Sequence, residues 1–384
     1  MSVPTSLPAD LAAEPIVRIA ADLSVMAWEQ MTAWRSSLGA DLDESVVDTK
    51  TSPNDLVTLA DAQIESLVRG YLAAVRPGDL MVGEEGAEAL DPVEFFDREL
   101  LLRLHSFDPV TGRLAEVTDT GLIGDGPGLG ASGGPGEASG GAGETSGAEA
   151  TGAVRLEWHV DPIDGTVNFV RGIEHFAFSV GVLHARGEEV ESAPAEEVEA
   201  GVKRPAAAPA AGSSAGDPAG DWLVGLVASP GLGATFVAAR GRGAYRVEGR
   251  LFDRMPEPIG TADAAPTPTS AKRLSGAPVG LSGRLLATGF AYKGDNRSRQ
   301  LAKLPVLVDG YDDIRRCGSA ALDLCMVAEG KVTCYAERGL GIYDYAGGAL
   351  IAEEAGAFVH RGGAGGPTAA ADSAEELARL IETI

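Results

Sequence analysis

Asp161 and Asp164 stand three residues apart in the stretch EWHVDPIDGTVNF, residues 157–169, which runs straight into Gly165 and Thr166. Two carboxylates at that spacing can share a hard, oxygen-seeking cation. Pro162 fixes φ and turns the chain, and Gly165 lets backbone come close to a ligand. Thr166 can cap a short helix whose free N–H groups receive an anion. Metal ligands and phosphate donors would then lie side by side. A plain D-P-x-D turn with an Asx cap accounts for the two acids alone equally well, but the intact DPIDGT hexapeptide behind an apolar strand favours chemistry.

Two further segments carry acids beside apolar sequence. VGEEG places Glu84 and Glu85 at the end of an apolar run, and GIYDYAGGALIAEEAG places Asp344 in the first turn of an otherwise apolar helix. Read singly, the glutamates are exposed side chains and Asp344 is an acid favoured by the helix dipole. If the acids converge, they cannot all stay ionised without a counter-charge. Mg²⁺ suits an all-oxygen set that also takes substrate phosphate. His105, His159, His175, His184 and His360 are scattered, and no His/Cys spacing favours zinc.

The elements that must position these acids are legible in part. Residues 11–37 read as a helix with Ile16, Ile19, Ala20, Leu23 and Met26 on one face. DAQIESLVRGYLAAV reads as a second helix with Asp61 at its N-terminus, and LMVGEEG as a short buried strand ending on the two glutamates. VRLEWHV and FAFSVGV alternate as strands. WLVGLVASP and ATFVAARGRGAYRV continue the sheet, the latter as a hairpin through Gly241–Gly243. The last third alternates strand RLLATGFAY, helix GSAALDLCMVAEG, strand KVTCYAE and helix YDYAGGALIAEEAG, closed by Gly356 as a C′ residue. The pattern predicts an α+β half over about 1–250 and an α/β half over about 251–384, packed as layers that share one cleft. Two tracts, about 121–152 (rich in Gly) and about 186–220 (rich in Ala, Pro and Glu), cannot bury enough apolar surface to order, and read as disordered insertions into one folded unit.

The chain has 384 residues, enough for two modest domains, and 45% hydrophobic residues support a real core. A net charge of −25 argues against nucleic-acid binding through a basic face. No run approaches the ~20 apolar residues that span a bilayer, and MSVPTSLPADLAAEP lacks the basic and apolar regions of a secretory signal. Cys317, Cys325 and Cys334 are sparse and read as small buried hydrophobes in a reducing compartment. A cytoplasmic protein without nucleic-acid or membrane partners is expected.

With these residues in hand, the chain resembles the inositol monophosphatase family of lithium-sensitive, Mg²⁺-dependent phosphatases. The blocks that carry the resemblance are KTSPNDLVTLAD (50–61), VGEEG (82–86), WHVDPIDGTVNF (158–169) and GIYDYAGGALIAEEAGA (341–357), with DIRRCGSAALDLCMVAEGKVTCYAERG (313–339) on the substrate side. The order of the strand-plus-hexapeptide and the late aspartate helix is the family's order. The resemblance implies a layered αβαβα sandwich of the inositol monophosphatase and fructose-1,6-bisphosphatase type. It implies that Glu84, Asp161 and the Ile163 carbonyl hold a first Mg²⁺, and that Asp161, Asp164 and Asp344 hold a second. Glu84 would help with a weaker third. Thr166, oriented by Asp61, would polarise the attacking water, with Glu84 also serving catalysis. Gly165 and Thr166 N–H groups would bind phosphate, and Ser319, Ala320 and Glu337, with Asp164 and Asp344 in reach, would line the hydroxyl-bearing part of the substrate. Lys50, Asp55 and Glu85 are expected to support rather than ligate. Tyr343 stands where the family usually has Trp, and Ala357 where Gly is common; both are expected to touch packing only.

The implied activity is hydrolysis of a phosphate monoester by direct attack of water. Myo-inositol 1-phosphate is the first choice, because a carboxylate such as Glu337 selects polyol hydroxyls. Fructose 1,6-bisphosphate, histidinol phosphate and a 3′-phosphonucleotide remain alternatives, although no Arg/Lys cluster marks a nucleotide pocket. A non-catalytic metal-binding relative is the reading outside enzymology, and homodimers are common in the family. An aspartyl-phosphate route would want D-x-D-x-T, whereas the spacing here is D-x-x-D-G-T.

Overall fold

The computed structural model describes residues 5–39, 53–84, 86–118, 155–185, 220–252, 270–278, 280, 282–291 and 294–384. Lys50, Glu85, the side chain of Asp55, and the two expected insertions up to residue 219 lie outside the described residues; Gly220 already belongs to a strand.

A two-residue strand β1 (Thr5–Ser6) precedes helices α1 (Ala9–Ala13), α2 (Pro15–Gly39) and α3 (Pro53–Val75). The single helix expected over 11–37 is broken at Glu14, whose ψ of 121° is extended. Pro15 is the cause: it disfavours helical backbone in the residue before it and suits the first turn of the next helix. α3 begins at Pro53, so Asp61 lies within the helix rather than at its N-terminus. Next come β2 (Leu80–Val82), the short helices α4 (Pro92–Phe95) and α5 (Arg98–Leu101), and the small hairpin β3 (Phe107–Asp108) and β4 (Arg113–Leu114). β2 is only half-buried, not the buried strand expected.

The middle of the chain supplies β5 (Leu156–Asp164), α6 (Thr166–Arg171), β6 (Ala177–Ala185), β7 (Gly220–Ser229), β8 (Ala234–Ala239), β9 (Gly243–Glu248) and β10 (Ser270–Arg273). The last third supplies β11 (Leu285–Thr288), α7 (Gly294–Leu307), β12 (Asp313–Arg315), α8 (Ala320–Ala328), β13 (Cys334–Arg338), α9 (Ile342–Glu354), β14 (Phe358–Arg361), β15 (Pro367–Ala371) and α10 (Ala374–Thr383).

Eight strands form one sheet in the order β1-β10-β9-β8-β7-β6-β5-β2, and five form a second in the order β12-β11-β13-β15-β14. Among the described residues of the larger sheet, β2 alone runs parallel to its neighbour, β5. In the smaller, β11 pairs in parallel with β12 and β13. β5 does not alternate between core and solvent as expected: Trp158, His159, Val160 and Asp161 are all buried. The reason is that both faces of the sheet are covered, as near-continuous apolar strands require. One face carries α2 and α3, whose Ile16, Ile19, Leu23, Ile64 and Val68 enter the main core. α8 and α9 lie on the other face, and α9 reaches the smaller sheet as well. α7 and α10 close the far side, where Leu307 and Leu380 join Leu286 and Cys334 in one cluster. The result is a five-layer αβαβα sandwich.

The middle helical layer sits unusually close to the larger sheet. Gly181 of β6 and Gly225 of β7 face α9, and a Cβ on Gly225 would lie 2.5 Å from the Gly347 carbonyl oxygen. Gly347 in turn packs against the backbones of both strands. This fixes the helix whose first turn carries Asp344.

Candidate active site

The acids meet at one end of the middle layer. β5 carries Asp161 and Asp164, and its ladder with β6 pairs Asp161 with Ser179 and Asp164 with Ala177. Three steps on β5 therefore oppose two on β6, a bulge that absorbs Pro162 and Ile163 within the strand. The turn expected at Pro162 occurs instead at Gly165, whose φ is +91°. Only glycine suits this position, since a Cβ there would also lie 2.9 Å from the His175 carbonyl oxygen. Gly165, rather than Thr166, is the N-cap of α6. Thr166 is its first residue and donates its hydroxyl to the Ile163 carbonyl oxygen at 3.1 Å.

Each carboxylate is held by a different element. Asp161 accepts the Ile163 N–H at 3.0 Å. Asp164 accepts the Ser319 hydroxyl at 2.6 Å and the Ala321 N–H at 2.7 Å, with the Ala320 N–H at 3.3 Å. Ser319 is the N-cap of α8, its Oγ also accepting the Leu322 N–H at 3.2 Å, so the start of that helix serves as the cradle of Asp164. Asp344, in the first turn of α9, accepts the N–H of the N-cap Gly341 at 2.6 Å. Glu84 lies exposed just beyond β2.

These groups line a cleft of about 320 Å³. Glu84, Asp161, Ile163, Asp164 and Asp344 line it, as do Gly165 and Thr166. Ser319 and Ala320, hydrogen-bonded to Asp164, and Glu337 line the same cleft. Asp61 is buried within α3, and its charge is felt at Asp161. Glu337 accepts the Tyr335 hydroxyl at 2.9 Å.

The electrostatics follow from burying so many like charges. Burial first, then the charges of Asp164, Asp344, Asp61 and Glu84, push the Asp161 carboxyl well above the ordinary range. Asp164 is pushed up to about 6, chiefly by burial, against the pull of the Ser319 hydroxyl and the Ala321 N–H. Asp344 is pushed up to about 7 by burial and the charge of Asp164, and it is in side-chain hydrogen-bond contact with Asp161. Burial likewise raises Glu337 to about 7. Four carboxylates and a carbonyl, with no cationic side chain among them, form an oxygen-only donor set that fits a hard divalent cation. The repulsion is the observation behind that fit: a cation there would relieve it.

Some of the cleft escaped the sequence reading. Arg316 and Arg338 both line it, as do Phe290 and Tyr343, so the cleft holds guanidinium and aromatic groups where no basic cluster was expected. Tyr343, expected to touch packing only, is part of the cleft lining. Arg316 belongs to the Arg315-Arg316 pair just before Gly318-Ser319, which was the available signal. A His/Cys grouping also exists despite the scattered spacing: one ligand atom each of His175, Cys317 and Asp323 lie within 4.8 Å of one another. Cys317 is half-exposed, unlike the buried Cys325 and Cys334.

Fold and site define a layered αβαβα protein with a carboxylate-walled cleft between its sheets. The model of the inositol monophosphatase family matches residues 131–193 and 218–380. An inositol-1-monophosphatase SuhB of Mycobacterium tuberculosis is 33% identical over 327 residues, covering 84% of this chain and 76% of the relative. The solved structure of Mycobacterium tuberculosis SuhB superposes with a TM-score of 0.55 at 27% identity, covering 97% of this chain and 98% of that one. A Haemophilus influenzae relative called Nus factor SuhB is 32% identical over 55% of this chain and 60% of its own length. The chain belongs to the inositol monophosphatase family. Among the described residues no helix is long and apolar enough to cross a membrane.

Proposed function

We propose that this protein is a Mg²⁺-dependent phosphomonoesterase that hydrolyses a polyol or sugar monophosphate, with myo-inositol 1-phosphate as the first candidate. The observation that carries the proposal is the convergence of Glu84, Asp161, Asp164 and Asp344 on one cleft, which Glu337 and Ser319 also line. The family and the name of the M. tuberculosis relative support it.

In this reading Glu84, Asp161, Asp164, Asp344 and the Ile163 carbonyl hold two or three Mg²⁺ ions. The chemistry the metal supplies when bound is charge neutralisation and polarisation of the phosphoryl group and attacking water. The chain does the rest by positioning. Gly165 and Thr166, at the start of α6, offer backbone N–H groups with no partner within the helix, aimed at phosphate oxygens. The Thr166 hydroxyl, with Asp61 behind it, orients the water for in-line attack. Ser319 and Ala320 keep Asp164 in place through the bonds at 2.6 and 3.3 Å. The Glu337 carboxyl, steered by Tyr335, meets substrate hydroxyls. Arg316 and Arg338 favour a substrate with further anionic character, so fructose 1,6-bisphosphate and a 3′-phosphonucleotide belong in the test alongside histidinol phosphate.

The test is phosphate release, with and without Mg²⁺, across those monoesters for the wild type and Asp161→Asn. Metal-dependent release fastest on inositol 1-phosphate, and abolished in a folded Asp161→Asn protein, is expected. No release from any substrate in saturating Mg²⁺ would leave a non-catalytic metal-binding relative as the better reading.

A further inference from the structure

His175, in the loop before β6, meets Cys317 and Asp323, which flank the start of α8, and none of the three has a part in the phosphatase reading. His175 Nε2 stands 3.1 Å from Asp323 Oδ1, and the Cys317 thiol completes a trio within 4.8 Å. Tetrahedral coordination of zinc sets such donors about 3.3–3.7 Å apart, so the trio is within roughly an ångström of ligating geometry. We propose that these three side chains form a second cation site, selective for a borderline-soft divalent ion of the Zn²⁺ class and separate from the carboxylate cluster.

Three features argue for it. The first is donor chemistry: sulfur and imidazole beside one carboxylate suit Zn²⁺ or Co²⁺ and are poor ligands for Mg²⁺. The second is pre-organisation. The Asn168 side-chain amide donates to the His175 carbonyl oxygen at 2.7 Å and to the Cys317 carbonyl oxygen at 2.8 Å, pinning both ligand-bearing backbones to α6 with one group. The third is access. Asp323 is buried but lines the cleft, while His175 and Cys317 are partly exposed. Three protein ligands with a path to solvent leave a fourth position for water. Binding exchanges the thiol proton for the metal: the S–H bond breaks, an S–metal bond forms, and one proton leaves to solvent. Burial, then the charge of Asp323, raises the Cys317 thiol to about 11 against the opposing charges of Arg315 and Arg316, so the metal must displace that proton, and affinity should increase with pH.

The experiment is independent of catalysis. The full chain, in saturating Mg²⁺ to occupy the carboxylate cluster, is titrated with Co²⁺ while its ultraviolet and visible spectra are recorded. A sulfur-to-cobalt charge-transfer band that saturates at one equivalent, with tetrahedral d–d bands, is expected. Cys317→Ser should abolish the charge-transfer band, and His175→Gln should weaken Co²⁺ affinity about tenfold or more. Circular dichroism and melting in EDTA establish that each variant folds. Zn²⁺ should bleach the cobalt spectrum. A wild type with no charge-transfer band would overturn the proposal, as would a band that survives in folded Cys317→Ser, since Cys325 or Cys334 would then be its source. Failure here leaves the phosphatase reading untouched, and loss of phosphatase activity would not remove the band.

Discussion

Replacing Gly347 by Ala adds one methyl group where α9 meets the larger sheet. The new Cβ would lie 2.7 Å from the Val180 carbonyl oxygen, 2.9 Å from Ser179 Oγ and 3.1 Å from the Leu226 carbonyl oxygen. Two of these are strand backbone atoms, locked in their own ladders, so the helix rather than the sheet must move. Overpacking of this kind costs about 1–3 kcal/mol, and the rigid neighbours put this case near the top of that range. Alanine gains about 1 kcal/mol over glycine as a helix former. The expected net loss is about 2 kcal/mol, a fall in melting temperature of roughly 2–4 °C for a chain of this size. Asp344 rides on the same helix one turn earlier, and displacing a site group by about an ångström costs about 10²-fold in rate. Melting in EDTA and phosphate release in Mg²⁺ measure the two effects. Gly78→Ala is the control: its Cβ would meet nothing within 4 Å, and its stability should change by less than about 0.5 kcal/mol. If Gly347→Ala melts and turns over like the control, α9 is not seated as described.

Further tests address the acids and their supports. Asp164 is raised to about 6 and Asp344 and Glu337 to about 7, so the folded protein holds protons that the unfolded chain releases. Their contribution to stability is full below about pH 4 and is lost as pH rises through about 6 to 7. The melting temperature in EDTA should therefore fall across that window and recover when Mg²⁺ is added; a rise across it in EDTA would refute the clustering. Ser319→Ala removes both a bond to Asp164 and the N-cap of α8, and urea titration should show a loss of about 1–2 kcal/mol. Glu337→Gln should raise KM for a polyol phosphate with kcat little changed, and an unaltered KM would exclude contact with substrate hydroxyls.

The chemistry was legible in the sequence where it is contiguous. Asp161, Asp164, Gly165 and Thr166 occupy six residues, and an apolar strand before them signals burial. Their local geometry was less so: the bulge at Pro162 depends on the register with β6, and the turn at Gly165 on the approach of His175 and Gly318. The start of α3 was missed because PNDLVTL lacks an apolar stripe as clear as that of the helix after Asp61, although Ser52-Pro53 is a helix-start signal. α7 is polar and contains Pro305, which obscures its period. Nothing hides α10: Ser373 caps it, and Leu377, Leu380 and Ile381 recur at helical spacing. The grouping of His175 with Cys317 and Asp323, and of Arg316 with Arg338 around the cleft, arises only when β6, α8 and β13 are brought together, and no spacing along the chain encodes it.

The wedge of α9 between two sheets has a consequence for biosynthesis. Asp344 leaves the ribosome 180 residues after Asp164, about 10–40 s later at ordinary rates of synthesis. Once β7 has followed β6 within that interval, the nascent larger sheet has one face bare, with Gly181 and Gly225 awaiting a helix not yet made. Premature association through that open face is the hazard this topology carries, and a chaperone that shields it would act before any ion could be captured.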